Sequence, residues 1–154
     1  MIKIIEVNSG ELISKAKELF QEYAESLGFD LSFHNFQQEL NDFPGQYSPP
    51  KGRLFLALSG KEVIGCVGLR PFDRDICEMK RLYVKPDFRG RKAGRMLAEA
   101  TIKAGKSIGY KVMRLDTLMS MKSANVLYKS LGFRRIDPYR YNPIKGAIYM
   151  ELKL

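Results

Sequence analysis

The sequence predicts a single α/β domain spanning residues 1–154, with a mixed sheet of about six or seven strands and about four helices on its faces. Two observations predict it. Three apolar runs between Leu54 and Val84 are joined by short polar turns, the pattern of an antiparallel meander. From Ala93 the apolar residues shift to three- and four-residue spacing, and a further β run follows at Val112 to Leu115. A helix between two strands of one sheet requires a crossover, so the fourth and fifth strands become parallel neighbours in an otherwise antiparallel sheet.

The elements follow in order. Ile2 and Ile4, with Val7, begin the first strand. Asn8 or Ser9 then caps a helix whose apolar residues Leu12, Ile13, Ala16, Leu19, Phe20 and Tyr23 share one face, and Gly28 stops it. A weaker helical piece covers about Phe33 to Leu40. Pro44, Gly45, Pro49 and Pro50 make a loop, since proline removes a backbone donor and disrupts both helix and sheet. Leu54 to Leu58 and Val63 to Leu69 form a hairpin across Ser59-Gly60-Lys61-Glu62, and Asp73-Arg74-Asp75 turns the chain into Ile76 to Val84. Ala93, Met96, Leu97, Ala100, Ala104 and Ile108 mark a long helix that Gly109 terminates. Ser120 is placed to cap a shorter helix carrying Ala124, Leu127, Tyr128 and Leu131, closed by Gly132. Phe133 to Ile136 and Ala147 to Leu154 supply the last strands.

Composition removes several classes of function. No apolar run approaches the ~20 residues of a membrane span. Met1-Ile2-Lys3-Ile4-Ile5-Glu6 carries charge where a secretory signal needs a long apolar core, so the expected compartment is the cytoplasm, without a membrane partner. Cys66 and Cys77 lie in strand-like runs and read as buried small hydrophobes. His34 is the sole histidine, which leaves a histidine-based metal site or a Ser-His-Asp triad little to build on, and no metal is expected.

Net charge is +9, and its placement is uneven: from Lys80 to Arg114 eleven basic residues face only Asp87 and Glu99, whereas residues 1 to 50 hold three lysines against eight acids. A basic middle and an acidic N-terminal third suit an anionic ligand at one place and a cationic one at another. The basic window has a focus at Arg89-Gly90-Arg91-Lys92-Ala93-Gly94-Arg95, directly after a strand and the Pro86 break. Two glycines permit a tight bend, and the first turn of the next helix offers unpaired N–H groups and a positive dipole end. The pattern is that of a phosphate pocket. A solvated surface or a nucleic-acid patch would carry similar charge, but no RNA-binding aromatic motif accompanies it. Lys103, Lys106 and Lys111 read as solvated.

The element order, together with three blocks at matching spacing, resembles the GNAT family of acyl-CoA N-acyltransferases. The blocks are Leu82-Tyr83-Val84-Lys85-Pro86, the basic turn, and Ala124-x-x-Leu127-Tyr128-x-x-x-Gly132-Phe133. The resemblance implies a sheet splayed between strands 4 and 5, acetyl-CoA as acyl donor, and a small-molecule or peptide amine as acceptor. Dimers are common in that family. It implies that the turn Arg89 to Arg95 holds the diphosphate of coenzyme A, with Lys92 standing where the family has its inner glycine. Left-handed backbone costs lysine on the order of 1 kcal/mol more than glycine. Met121 stands where many relatives have asparagine. Pantetheine is expected to insert as a temporary strand beside Leu82, Tyr83 and Val84, with Ala124 and Tyr128 close by.

Tyr128 matches the family tyrosine that donates a proton to the departing thiolate, although its place in the stripe with Ala124, Leu127 and Leu131 also suits packing. Glu78 is the candidate base for the amine; pairing with Lys80 or Arg81 is the alternative. A regular strand would put Glu78, Lys80 and Leu82 on one face, whereas a bulge, frequent here in the family, would break that pattern. A backbone N–H between Leu82 and Val84 is the candidate donor to the thioester oxygen. Glu22, Glu25, Asp30, Glu39 and Asp42 are candidates to attract a cationic amine, with Tyr139, Tyr141 and Asn142 as the opposing wall. A CoA-binding sensor without turnover and a nucleic-acid-binding protein are the rival readings.

Overall fold

The computed structural model describes residues 1–28 and 35–154. Seven strands, β1 (Ile2–Glu6), β2 (Arg53–Ser59), β3 (Glu62–Pro71), β4 (Ile76–Val84), β5 (Val112–Leu118), β6 (Arg134–Ile136) and β7 (Ala147–Lys153), form one sheet in the order β1-β2-β3-β4-β5-β7-β6. Among these described strands only β4 and β5 run parallel. Among the described residues four α-helices accompany them: α1 (Gly10–Leu27), α2 (Phe36–Asn41), α3 (Ala93–Ile108) and α4 (Lys122–Ser130). None of these is long and apolar enough to cross a membrane.

The predicted stops hold, since Gly28 and Gly109 end α1 and α3 in left-handed backbone that costs glycine little. The caps differ. Ser9 occupies the cap position of α1 without a side-chain bond, and Met121, not Ser120, caps α4. The helix expected over Phe33 to Leu40 is α2, three residues later at its start; Phe33 and His34 themselves lie outside the described residues.

Alternation along the strands sorts the core into two clusters. Leu54 and Leu56 join Ala16, Leu19 and Phe20 of α1, whereas Phe55 and Ala57 join Ala93, Leu97 and Ala98 of α3 and Tyr128 of α4. Cys66 and Cys77 are free, buried thiols, one in each cluster.

The decisive irregularity lies in β4. Gly68 pairs with Lys80 and Cys66 with Tyr83, so both Arg81 and Leu82 stand opposite Val67. Arg81 takes left-handed backbone at φ 61° to fit the extra residue, a conformation that costs a side chain about 1–2 kcal/mol. The bulge changes facing. Arg81 turns onto the α1 and α2 side, where its guanidinium lies 5.1 Å from the Phe36 ring centroid. Leu82 and Val84 pack with the α3 cluster instead and Tyr83 with the α1 cluster. Glu78, Lys80 and Leu82 therefore do not share a face, because the extra residue inverts the pleat between Lys80 and Leu82.

β4 and β5 pair only at Ile76–Val112, Cys77–Met113 and Glu78–Arg114. Beyond Glu78, β4 continues along β3 and β5 along β7, so the two strands diverge with a V between them.

Close packing between β3 and the α1 cluster yields a stability test. A Cβ at Gly68 would lie 2.5 Å from Tyr47 Cε1 and 3.2 Å from Phe20 Cζ, two rings already in edge contact. Gly68→Ala is expected to cost about 1–3 kcal/mol of stability, seen as a lower urea midpoint at unchanged m-value. An unmoved midpoint would mean that the rings yield freely.

Candidate active site

The V is a cleft lined by Lys80 and Leu82 of β4, Leu115 and Asp116 of β5, Ala124 and Tyr128 of α4 and Tyr23 of α1. Backbone parity decides what β4 offers to it. Lys85 N–H donates to the Ile64 carbonyl at 2.8 Å, and antiparallel pairing alternates, so Tyr83 directs its backbone toward β3. Leu82 and Val84 direct theirs toward the vacated edge. The Val84 carbonyl accepts from Arg89 Nε at 2.9 Å, which leaves the two N–H groups as the edge donors. Tyr83 stands apart from the other expected contact residues: its hydroxyl donates to Glu22 at 2.7 Å on the α1 side.

The basic turn follows at the end of β4. Gly90 has φ 83°, and Lys92, the N-cap of α3, has φ 68°, so lysine takes the left-handed backbone at the position identified from sequence. The N–H groups of Ala93, Gly94 and Arg95 have no intrahelical acceptor. A Cβ at Gly94 would meet only ordinary contacts, 3.8 Å from Val84 and 3.9 Å from Leu127, so core packing does not require glycine there. Its bare backbone keeps the helix end approachable. The cations divide around that end. Arg89 lies by the V with its guanidinium 5.8 Å from the Tyr83 centroid, while Arg91, Lys92 and Arg95 line a groove beside Met1 and Ile2. Arg91 stacks on Phe88, and Arg95 donates to Ser130 at 2.9 Å.

Tyr128 both packs in the core and reaches the cleft. Its ring packs edge-on to Phe133 at 5.8 Å, and it lines the cleft. Burial raises its pKa well above that of a free phenol, which keeps the hydroxyl protonated.

On the α1 and α2 face of β4 lies a buried chain of charge that starts at Arg81, which also lines the cleft. Arg81 donates to both oxygens of Glu39, at 3.2 and 3.1 Å. Arg70 bridges Glu39 at 3.3 Å and Glu78 at 3.1 Å, and Arg140 Nη2 reaches Glu78 at 2.7 Å. The Tyr139 hydroxyl donates to Glu78 at 3.1 Å. Burial alone would raise the pKa of Glu78, but Lys80, Arg70 and Arg140 outweigh it and hold the carboxyl below its ordinary value. Among the described residues its ion-pair contacts are with Arg70 and Arg140, and Lys80 acts on it only at longer range. Lys80 instead meets Asp116 at 3.2 Å, with both side chains almost fully buried. That pair stands two residues beyond Glu78–Arg114, so a side-chain strut continues the register where backbone pairing ends.

The acidic residues expected to attract a cation are mostly engaged. Glu22 accepts from Tyr83, Asp42 from Gln38 at 2.8 Å, and Glu39 is clamped by two guanidiniums that hold its pKa low against the effect of burial. Glu25 is exposed, and Asp30 lies outside the described residues. Of the opposing wall, Tyr141 is exposed, Asn142 lies 3.5 Å from Asp116, and Tyr139 sits beneath, on Glu78. Sequence reasoning missed Arg70, Asp116 and Arg140 altogether. The adjacent charges Lys80-Arg81 inside an apolar strand were the available signal, since two neighbours can both turn to one face only at a bulge.

Known proteins resemble this chain throughout its length. The sequence model of the acetyltransferase (GNAT) family matches residues 14–133. An uncharacterised N-acetyltransferase of Schizosaccharomyces pombe is 40% identical over 155 residues, covering 99% of this chain and 95% of that one. Among solved structures, an acetyltransferase from Streptococcus agalactiae superposes with TM-score 0.79 at 20% identity, over 99% of this chain and 98% of that one. A GNAT acetyltransferase from Elizabethkingia anophelis with acetyl-CoA bound gives TM-score 0.63 at 23% identity, over 99% and 98%.

Lys80 makes the site sensitive to alkali. Burial, reinforced by neighbouring Arg81 and opposed by Asp116, pushes its pKa down to about 8, against ~10.4 in an unfolded chain. Between those values the unfolded state holds more protons, so stability rises with pH across that window and is flat in this respect below it. In urea titrations from pH 7 to 10, Lys80→Met should remove this rise. Equal pH slopes in both proteins would contradict the buried ammonium.

Proposed function

The chain belongs to the GNAT family of N-acetyltransferases, and from that premise we propose that it transfers the acetyl group of acetyl-CoA to a primary amine by direct attack in a ternary complex. One observation carries the reading. The vacated edge of β4, with the N–H groups of Leu82 and Val84, leads through Arg89 into the bare N-terminus of α3, and Tyr128 lines the same opening. Coenzyme A matches that sequence of donors: an extended amide chain for the strand edge and a diphosphate for the helix end. Arg89, Gly90, Arg91, Lys92 and the N–H groups of Ala93, Gly94 and Arg95 would hold the phosphates, and Ala124 would flank the pantetheine. The fold shared with a structure that has acetyl-CoA bound supports the assignment.

Acetyl-CoA supplies an activated thioester carbonyl. As the C–N bond forms and the C–S bond breaks, the Leu82 N–H donates to the carbonyl oxygen where charge builds. Tyr128 gives its proton to the departing sulfur and regains one from solvent. The ammonium nitrogen loses one proton before attack and a second once the C–N bond has formed; both leave through water toward Glu78, whose ionised carboxylate is a weak base and passes them on to solvent. The products are the acetamide, free coenzyme A and one proton.

Tyr128→Phe keeps the ring and removes the hydroxyl. Turnover, read as thiol release, should fall at least about tenfold while acetyl-CoA affinity stays within about threefold. Unchanged turnover would reject the acid role. Binding without turnover across a broad amine panel in the unaltered protein would favour a sensor instead.

A further inference from the structure

A groove of about 720 Å³ lies on the α2 side of β4, lined by Arg70, Glu78 and Arg140 and rimmed by Phe72 and Tyr141. We propose that it binds a carboxylate carried by the amine acceptor, with Arg140 and Arg70 as its receptors. The assignment rests on the acetyl-transfer reading above and adds a substrate class to it.

Each guanidinium carries five N–H donors. Among the described residues, Arg140 contacts acid through Nη2 alone, and Arg70 through Nε and Nη1. Both therefore keep part of the fork free of acid contacts while lining an open groove. Arg140 also sits between two rings, its guanidinium 5.3 Å from the Tyr139 centroid and 5.9 Å from that of Phe72. A planar fork of donors held by ring contacts matches a carboxylate in two-point contact better than a lysine would. A cationic group entering here would meet two guanidiniums, and the buried acids beside them, Glu39 and Glu78, are already engaged.

Spacing limits the acceptor further. Glu78 is on the groove floor, and Leu82, whose N–H meets the thioester oxygen in this reading, lies four residues further along β4. The carboxylate thus lies several bonds from the attacking amine, as in an ω-amino acid or a short peptide. The exposed rings of Phe72 and Tyr141 would flank the chain between them.

The test reads binding separately from turnover. N-acetyl-β-alanine, N-acetyl-4-aminobutyrate and N-acetyl-6-aminohexanoate are titrated calorimetrically into the protein saturated with coenzyme A, beside uncharged N-alkylacetamides of equal length. At least one acid should bind ten times tighter or more than its neutral counterpart. Arg140→Gln should abolish that gain, and Arg140→Lys, which keeps charge for Glu78 but lacks the fork, should lose most of it. Acids that bind no tighter at any length, or a gain that survives in both variants, overturn the proposal. Thiol release with the corresponding free amines is the separate arm: its absence would count against acetyl transfer, while the acid-to-neutral ratio still decides the carboxylate site.

Discussion

Where β3 presents Val67, β4 presents Arg81 and Leu82, and the backbone absorbs the surplus residue by placing Arg81 in left-handed conformation. A side chain there is costly, so the surrounding packing must impose it. From this constraint the rest follows. Pleat parity inverts after Lys80, the N–H groups of Leu82 and Val84 face away from β3, and β4 twists out of reach of β5. Had the strand been regular, Leu82 would lie with Glu78 and Lys80 on the opposite face.

The same residue obliges the α2 side to accommodate charge. A buried guanidinium without an acid would be prohibitive, and Glu39 answers it with both oxygens. Glu39 then draws in Arg70, Arg70 draws in Glu78, and Glu78 draws in Arg140. Such chains add little net stability over apolar packing, but each member fixes the position of the next. The Lys80–Asp116 strut acts similarly in the V, holding β4 and β5 at a set separation just past the last backbone pair. The opening is thus braced by charge on one side and framed by apolar contacts of Leu82 and Val84 on the other.

Much of the fold was legible because periodicity and punctuation agree along the chain. The three-and-four spacing from Ala93 to Ile108 ends at Gly109, and the run from Ile76 to Val84 coincides with β4. The basic turn was legible for the same reason, as local backbone chemistry that needs no distant partner. The charge network was not. Glu78 and Arg70 are eight residues apart, and Glu78 and Arg140 sixty-two, so only the folded register brings them together. Counting acids in the first fifty residues suggested a cation trap. Sequence charge cannot reveal that Glu39 is neutralised by Arg70 and Arg81 from β3 and β4.

A crystal structure of the protein with acetyl-CoA bears most directly on the role of the opened strand edge. Density for pantetheine should lie between β4 and β5, bonded to the N–H groups of Leu82 and Val84, with the diphosphate over Arg89 to Gly94 and sulfur toward Tyr128. Acetyl-CoA bound elsewhere, or a V closed by direct pairing of β4 with β5 beyond Glu78, would contradict it.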